Sequence, residues 1–333
     1  MSVLIEVEGL GKTFADSSLS LSPKRPPVRA VDDVSFSVMR GETLAVVGES
    51  GCGKSTLGRL LLNLIPPTEG RVVFDGVDIT RLPKGEMRRM RQRMQMVFQD
   101  PFGSLSPRRS VSNTIAEPLV SFGLVRSRTE RRERVAELLA QVGLPSAFMD
   151  RKPRQFSGGQ RQRIGIARAI SVDPAFVVAD EPVSALDVSI QAQIINLMQD
   201  LQESKGFSFL FIAHDLAVVR HIADRVAVMY LGRIVELGTK AQVYGAPHHP
   251  YTEALLSSAP QPDPDRRSDR IILSGDVPSP TRIPSGCPFR TRCPIAQPIC
   301  TEERPPLAEA SAGHSVACHF AEAFPITRRR SAA

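Results

Sequence analysis

Nine consecutive residues, Gly48-Glu49-Ser50-Gly51-Cys52-Gly53-Lys54-Ser55-Thr56, fit the phosphate-binding pattern G-x-x-x-x-G-K-[ST]. Glycines at this spacing let backbone N–H groups come close to phosphates, and the helix that follows offers an N-terminus that favours negative charge. In that chemistry Lys54 reaches the β- and γ-phosphates of a nucleotide, and the Ser55 hydroxyl holds Mg2+. More than a hundred residues later, Phe156-Ser157-Gly158-Gly159-Gln160 opens a second helix with a serine and two glycines, another geometry suited to an anion. Half a site at each place suggests an ATPase that works as a face-to-face pair.

A third segment supplies acid. Phe176-Val177-Val178-Ala179 is apolar and ends in Asp180-Glu181. Alone, such a pair reads as a helix cap or a surface turn. Beside a phosphate loop, Asp180 is expected to hold Mg2+ through water and Glu181 to polarise the attacking water. Gln99, after the run Met94–Phe98, is placed to reach the metal or the water. His214, after Phe207–Ala213, is placed to contact the γ-phosphate and orient Glu181. By itself a histidine at a strand end is a satisfied structural residue, so its functional reading rests on the whole set.

These residues need a scaffold of alternating elements. Strands are expected at Val3–Glu8, Thr43–Val47, Arg71–Phe74, Met94–Phe98, Ala175–Asp180, Phe207–Ala213, Arg225–Tyr230 and Arg233–Leu237. Helices are expected at Lys54–Leu64, Thr129–Val142, Gly158–Ile170 and Ser189–Ser204. The alternation argues for an α/β core with parallel pairing. Ser17–Pro27 reads as a surface loop, and from Pro260 onward frequent prolines argue against long helices. That tail is expected as a separate module or an ordered wrap.

Composition narrows the function classes. The chain has 333 residues, 42% hydrophobic and 23% charged, within the ordinary globular range. Its longest apolar runs fall short of the ~18 residues that span a bilayer, and its start lacks the basic flank and apolar core of a signal peptide. The protein is therefore expected to stay in the cytoplasm. The net charge of +7 is concentrated in Arg81, Lys84, Arg88, Arg89, Arg91 and Arg93, and in Arg126, Arg128, Arg131, Arg132 and Arg134. Solvated helix faces are the plain reading; attraction to anionic lipid or to an acidic partner is the sharper one. No aromatic residues interleave with these arginines, so nucleic acid is not expected as a partner.

Taken in order, the phosphate loop, Gln99, Phe156 to Gln160, Asp180-Glu181, Ser184-Ala185-Leu186-Asp187 and His214 resemble the ATPase of ABC transporters over residues 3 to about 255. In that resemblance Ser157 to Gln160 are the signature segment, Gln99 the Q-loop, Asp187 the D-loop acid and His214 the switch histidine. Phe14, in Lys12-Thr13-Phe14, matches the aromatic that stacks on adenine, with a core position as the alternative. The resemblance implies a P-loop NTPase fold with a RecA-like core, an antiparallel β subdomain and a helical subdomain at about 100–172. It implies an ATPase domain over 1–258 and an extension with four cysteines over 259–333.

Val47 to Thr56, Phe98-Gln99-Asp100-Pro101, Phe156 to Arg168, His249-Pro250-Tyr251-Thr252-Glu253-Ala254-Leu255-Leu256 and Gly275-Asp276-Val277-Pro278-Ser279-Pro280 narrow the match. They resemble the second ATP-binding subunit of oligopeptide and dipeptide importers. This closer resemblance implies ATP hydrolysis coupled to peptide uptake, with nickel or another small solute as alternative cargo. It also implies a non-identical sister ATPase, two transmembrane permease subunits, an extracytoplasmic peptide-binding protein, and a peripheral place on the cytoplasmic side of the membrane. A nucleic-acid-associated ABC ATPase is the competing reading. Such proteins usually carry a second cassette or long heptad arms, and neither occurs here.

Four of the five cysteines cluster as Cys287-x5-Cys293-x6-Cys300-x17-Cys318, while Cys52 inside the phosphate loop is incidental. Cytoplasmic disulfides are uncommon, so clustered thiols favour metal. Four thiolates suit zinc or an iron–sulfur cluster, and four separate reduced thiols are the alternative. The resemblance implies that some members hold a [4Fe–4S] cluster in this tail. A proline-rich tail with few apolar runs would fold weakly alone, so one cluster on these four cysteines is expected to have a structural role. His314 and His319, which flank Cys318, are alternate ligands or ordinary surface or core residues.

Overall fold

The computed structural model describes residues 2–15, 26–100, 103–258 and 271–321. Most of the expected Ser17–Pro27 loop, Pro101, the proline run from Pro260 to Asp265 and everything after residue 321 lie outside the described residues. The chain forms two compact units: Met1–Val3, Val38–Thr43 and Arg81–Ala213 make one, and Leu4–Ser37, Leu44–Thr80 and His214–Ala333 the other.

In the first unit, strands Met94–Val97, Phe176–Asp180 and Ser208–Ala213 pair in parallel, with Met94 opposite Phe176 and Val178 opposite Leu210. Phe176–Asp180 and Ser208–Ala213 are buried at every position, which is why their sequences run apolar without alternation. The helices are Lys84–Arg93, Val111–Ser121, Arg128–Gln141, Gly158–Ile170 and Val188–Lys205. Arg128–Gln141 starts at Ser127, whose hydroxyl accepts the Glu130 amide, and it buries Val135, Leu138 and Leu139 along one stripe. Arg128 and Arg132 are exposed, and Arg132 pairs with Asp150 and the half-buried Arg134 with Asp173. Lys84–Arg93 buries only Met87.

The second unit holds all but the end residues Val3, Val38 and Met39 of an antiparallel sheet in the order Val28–Met39, Val3–Phe14, Glu69–Phe74, Val77–Asp78. It also holds a ladder in which Thr43–Val47 runs parallel to Arg225–Tyr230, followed by antiparallel Arg233–Thr239, His314–Val316 and Ala308–Ser311. The tail thus joins the sheet of its own unit, with Glu236 opposite Val316. Apart from that hairpin, the tail's described regular structure is the short helix Ile299–Glu302. Glu236 is fully buried, and its carboxylate accepts the His248 and His249 amides at 2.8 and 3.0 Å and lies 2.7 Å from His314 Nε2. Burial pushes this carboxyl upward, but hydrogen bonds from His314, Thr252 and the His248 amide hold it below its ordinary value.

The helix expected at Lys54–Leu64 stops at Leu61. Asn63 turns left-handed at φ 46, which ends the helix, and its side-chain Nδ2 donates to Ile79 O at 2.7 Å. Among the described residues no helix is long and apolar enough to cross a membrane.

Candidate functional site

Thr43–Val47, buried throughout, delivers the chain into the phosphate loop. Gly48 and Gly53 adopt φ 153 and 108, and a Cβ on either would lie 2.1 Å from a main-chain oxygen, Met229 O or Ala30 O. Glycine is therefore obligatory at both. Gly53 is the N-cap of helix Lys54–Leu61, no side chain caps that helix, and its first turn holds no acid. A helix N-terminus of this kind favours an anion. Lys54, only 4% exposed, donates to Gly48 O at 2.7 Å and Glu49 O at 3.0 Å, so its ammonium sits inside the loop's curve. These features fit a phosphate chain. Ser55 and Thr56 follow, half-buried, on the first turn. Cys52 is buried, burial pushes its thiol pKa up, and its Sγ lies 3.8 Å from Lys54 Nζ.

In the other unit, Glu181 directly follows the buried strand Phe176–Asp180 with a left-handed backbone, φ 44. A non-glycine residue there is strained, and such strain tends to gather at functional positions. Its amide donates to Ile212 O at 3.0 Å, and the Ser184 hydroxyl donates to its carbonyl at 3.1 Å. Gln99 Nε2 donates to Glu181 Oε2 at 3.0 Å, so two residues 82 positions apart meet as the sequence motifs require. Asp180 is 3% exposed.

Ser157 is the N-cap of helix Gly158–Ile170. Its hydroxyl accepts the Gln160 amide at 3.3 Å, and the Gln160 side chain accepts the Ser157 amide at 3.1 Å. A Cβ on Gly159 would come 2.5 Å from Ile190 Cγ2, and one on Gly158 3.1 Å from Leu186 Cδ2. Asp187 precedes helix Val188–Lys205 without capping it through its side chain.

His214 and Phe14 belong to the second unit. His214 is exposed just past the end of Ser208–Ala213. Phe14 is 44% exposed with the Lys12 ammonium 5.2 Å from its ring centre, so it is not a core residue. Two further residues of this unit touch the phosphate loop and were not expected. Tyr251 Oη accepts the Glu49 amide at 2.9 Å, and Arg292 pairs with the Glu49 carboxylate. His249-Pro250-Tyr251 carried a signal as a motif; Arg292, 243 positions from Glu49, carried none.

The cysteine tail departs from the expectation of a metal centre. Cys287, Cys293, Cys300 and Cys318 do line one cavity, but its volume is about 10 Å3, room for no more than a water. Among the described residues no group of three or more His, Cys, Asp or Glu is arranged to hold a metal ion. Burial raises the thiol pKa of Cys287 and Cys318 and pushes Cys293 up to about 12. The expected [4Fe–4S] cluster is therefore overturned, and no site for zinc in its place is found among the described residues. His314 is a buried partner of Glu236, and His319 Nε2 lies 3.1 Å from Glu303 O.

Comparison with known proteins agrees with this geometry. Residues 31–184 match the family model described as ABC transporter, and 235–300 match "Oligopeptide/dipeptide transporter, C-terminal region". The oligopeptide transport ATP-binding protein AppF of Bacillus subtilis is 53% identical over 320 residues, 95% of this chain and 97% of that protein. A probable peptide ABC transporter ATP-binding protein of Sinorhizobium fredii, y4tS, is 54% identical over 316 residues, 95% of this chain and 89% of that one. A dimeric ATP-binding cassette, MJ0796, solved with ADP and Pi, superposes with a TM-score of 0.63 at 29% identity, covering 71% of this chain and 99% of that one. With the P-loop fold, mixed α/β sheets and an intact set of nucleotide motifs, the chain is an ABC-type ATPase and belongs to the family of oligopeptide/dipeptide transporter ATP-binding proteins.

Proposed function

We propose that this chain hydrolyses ATP to drive import of oligopeptides or dipeptides through a membrane permease. The observation that carries the reading is the uncapped helix start at Gly53, with Lys54 curled into the loop before it. Lys54 and the loop amides from Gly48 to Thr56 bind the phosphates, and Ser55, Gln99 and Asp180 hold Mg2+ directly or through water. Bound Mg2+ neutralises charge on the transferred phosphoryl group. Glu181, oriented by Gln99 and His214, accepts the proton of the attacking water as the bond between the β- and γ-phosphates breaks. Phe14 stacks on the adenine. Ser157, Gly158, Gly159 and Gln160 contact the γ-phosphate held by a partner's phosphate loop, and Asp187 lies at that partner contact.

The partner in this reading is a non-identical sister ATPase. Two permease subunits and an extracytoplasmic binding protein complete the complex, and the chain sits peripherally on the cytoplasmic side of the membrane. Residues 1–258 form the ATPase domain, with the helices between about 100 and 172 as its helical subdomain, and 259–333 form the extension. Support for the cargo comes from the names of the relatives and from the match to the transporter C-terminal region. The test is uptake: deleting the chain's gene from its cell should abolish accumulation of labelled peptides, and Glu181→Gln should fail to restore it. Undiminished peptide uptake in the deletion strain would refute the cargo assignment.

A further inference from the structure

The phosphate loop carries an acid at its second position. Glu49 brings negative charge to a loop that must take up a polyanion, and the structure shows how that charge is answered. Arg292 Nη1 and Nη2 meet Glu49 Oε2 and Oε1 at 2.9 and 3.1 Å, a two-pronged pair. The Arg292 side chain is 9% exposed and that of Glu49 28%, so this is not a loose surface contact. Burial works against the Arg292 charge, but the hydrogen-bonded Glu49 carboxylate outweighs it and raises the guanidinium pKa.

The frame around the pair is aromatic. Tyr230, Tyr251 and Phe289 lie with ring centres 4.7 to 5.5 Å apart. The Arg292 amide donates to Phe289 O at 3.0 Å, which fixes the turn that presents the guanidinium. Tyr251 holds the Glu49 amide at the same time. Glu49 is thus gripped at its main chain by one residue and at its carboxylate by another, both from beyond position 250.

We propose that Arg292 is a positioning residue for the nucleotide: it neutralises Glu49 and fixes its carboxylate, so the C-terminal extension sets the affinity of the phosphate loop for polyphosphate. The inference rests on the reading that Gly48 to Thr56 bind ATP. Removing one member of such a pair leaves an uncompensated charge beside the bound phosphates. A merely structural arginine would affect all nucleotides alike, whereas a charge effect grows with the number of phosphates.

The experiment is equilibrium binding to the full chain by calorimetry, with ATP, ADP and AMP in the absence of turnover. Arg292→Ala should weaken ATP about tenfold, ADP less and AMP least, with the loss shrinking at high salt. Adding Glu49→Gln to Arg292→Ala should recover most of the lost ATP affinity. Arg292→Gln should give the same ordering and serves if the alanine variant does not fold. Unchanged ATP affinity in both Arg292 variants, an equal loss for all three nucleotides, or no recovery in the double variant would each overturn the proposal. A wild-type chain that binds none of the three would strike the ATP-binding reading itself.

Discussion

Two helices of this chain begin at glycines, and their starts are built differently. Lys54–Leu61 follows a left-handed Gly53, has no side-chain cap, and places its lysine at 4% exposure. Gly158–Ile170 follows an exposed Ser157 and is closed by a reciprocal box in which Ser157 and Gln160 satisfy each other's amides. The first start opens from a loop whose shape is dictated by main-chain contacts to Gly48 and Gly53. The second spends an amide on its own cap, and the serine hydroxyl, while accepting, still has its proton to give. One is a cradle able to hold phosphate within its own unit. The other is a fixed donor that offers hydrogen bonds outward.

The largest test separates binding from hydrolysis. Lys54→Ala removes the cradle's cation and should abolish both ATP binding and turnover. Glu181→Gln should leave ATP affinity near wild type while single-turnover hydrolysis falls about 10^2- to 10^4-fold. Near-normal turnover in Glu181→Gln would remove the acid from its proposed role.

The second test concerns what lies behind the cradle. Burial holds His249 down to about 4, against the opposing pull of Glu236, and its Nδ1 accepts the Tyr251 amide at 3.1 Å. The unfolded chain protonates this histidine near pH 6.5. The neutral imidazole therefore contributes its full stability above that pH and loses it as pH falls toward 4, about 3 kcal/mol in all. Urea unfolding at pH 7.5, 6 and 5 should show the decline, and His249→Asn should flatten it. An identical pH slope in the variant would mean that another group titrates.

Third, the donor start depends on close packing. In Gly159→Ala the new methyl meets Ile190, and the crowding exceeds the gain in helix propensity, for a net loss of about 1–2 kcal/mol. Adding Ile190→Ala should restore the unfolding midpoint without restoring turnover. Recovery of both would reduce Gly159 to a packing residue. The smallest effect is at Phe14: alanine should leave stability within about 0.5 kcal/mol and cost ATP about 1 kcal/mol of binding, near fivefold. Equal affinity by titration would take the ring off the adenine.

Much of this was legible in the sequence. Thr43–Val47, Arg225–Tyr230 and Gly158–Ile170 fall at the expected bounds, because two are buried apolar runs and the third announces itself by Ser157 and Gln160. Val28–Met39 went unread because Asp33, at φ 53, shifts the alternation between Val31 and Val34. Val111–Ser121 was hidden by Pro118 and its polar first turn, and Lys84–Arg93 by having a single buried residue. Cysteine spacing reports thiols but not the room between them, so the tail was read as a metal centre where a cavity of about 10 Å3 remains. The Arg292 contact with Glu49 depends on tertiary placement alone.

Glu236 has a consequence for how the chain is made. It is fully buried, and one of its partners, His314, is 78 positions downstream. At ~5–20 residues per second, roughly 4 to 16 s separate the synthesis of the two. Through that interval the newborn strand Arg233–Thr239 has an open edge and an acid that lacks one of its buried partners. That edge gains its strand partner only when the hairpin arrives. A chain cut short before residue 314 is expected to leave Glu236 without that partner and the Arg233–Thr239 edge without its hairpin, and so to be cleaved faster than the full chain under limited proteolysis.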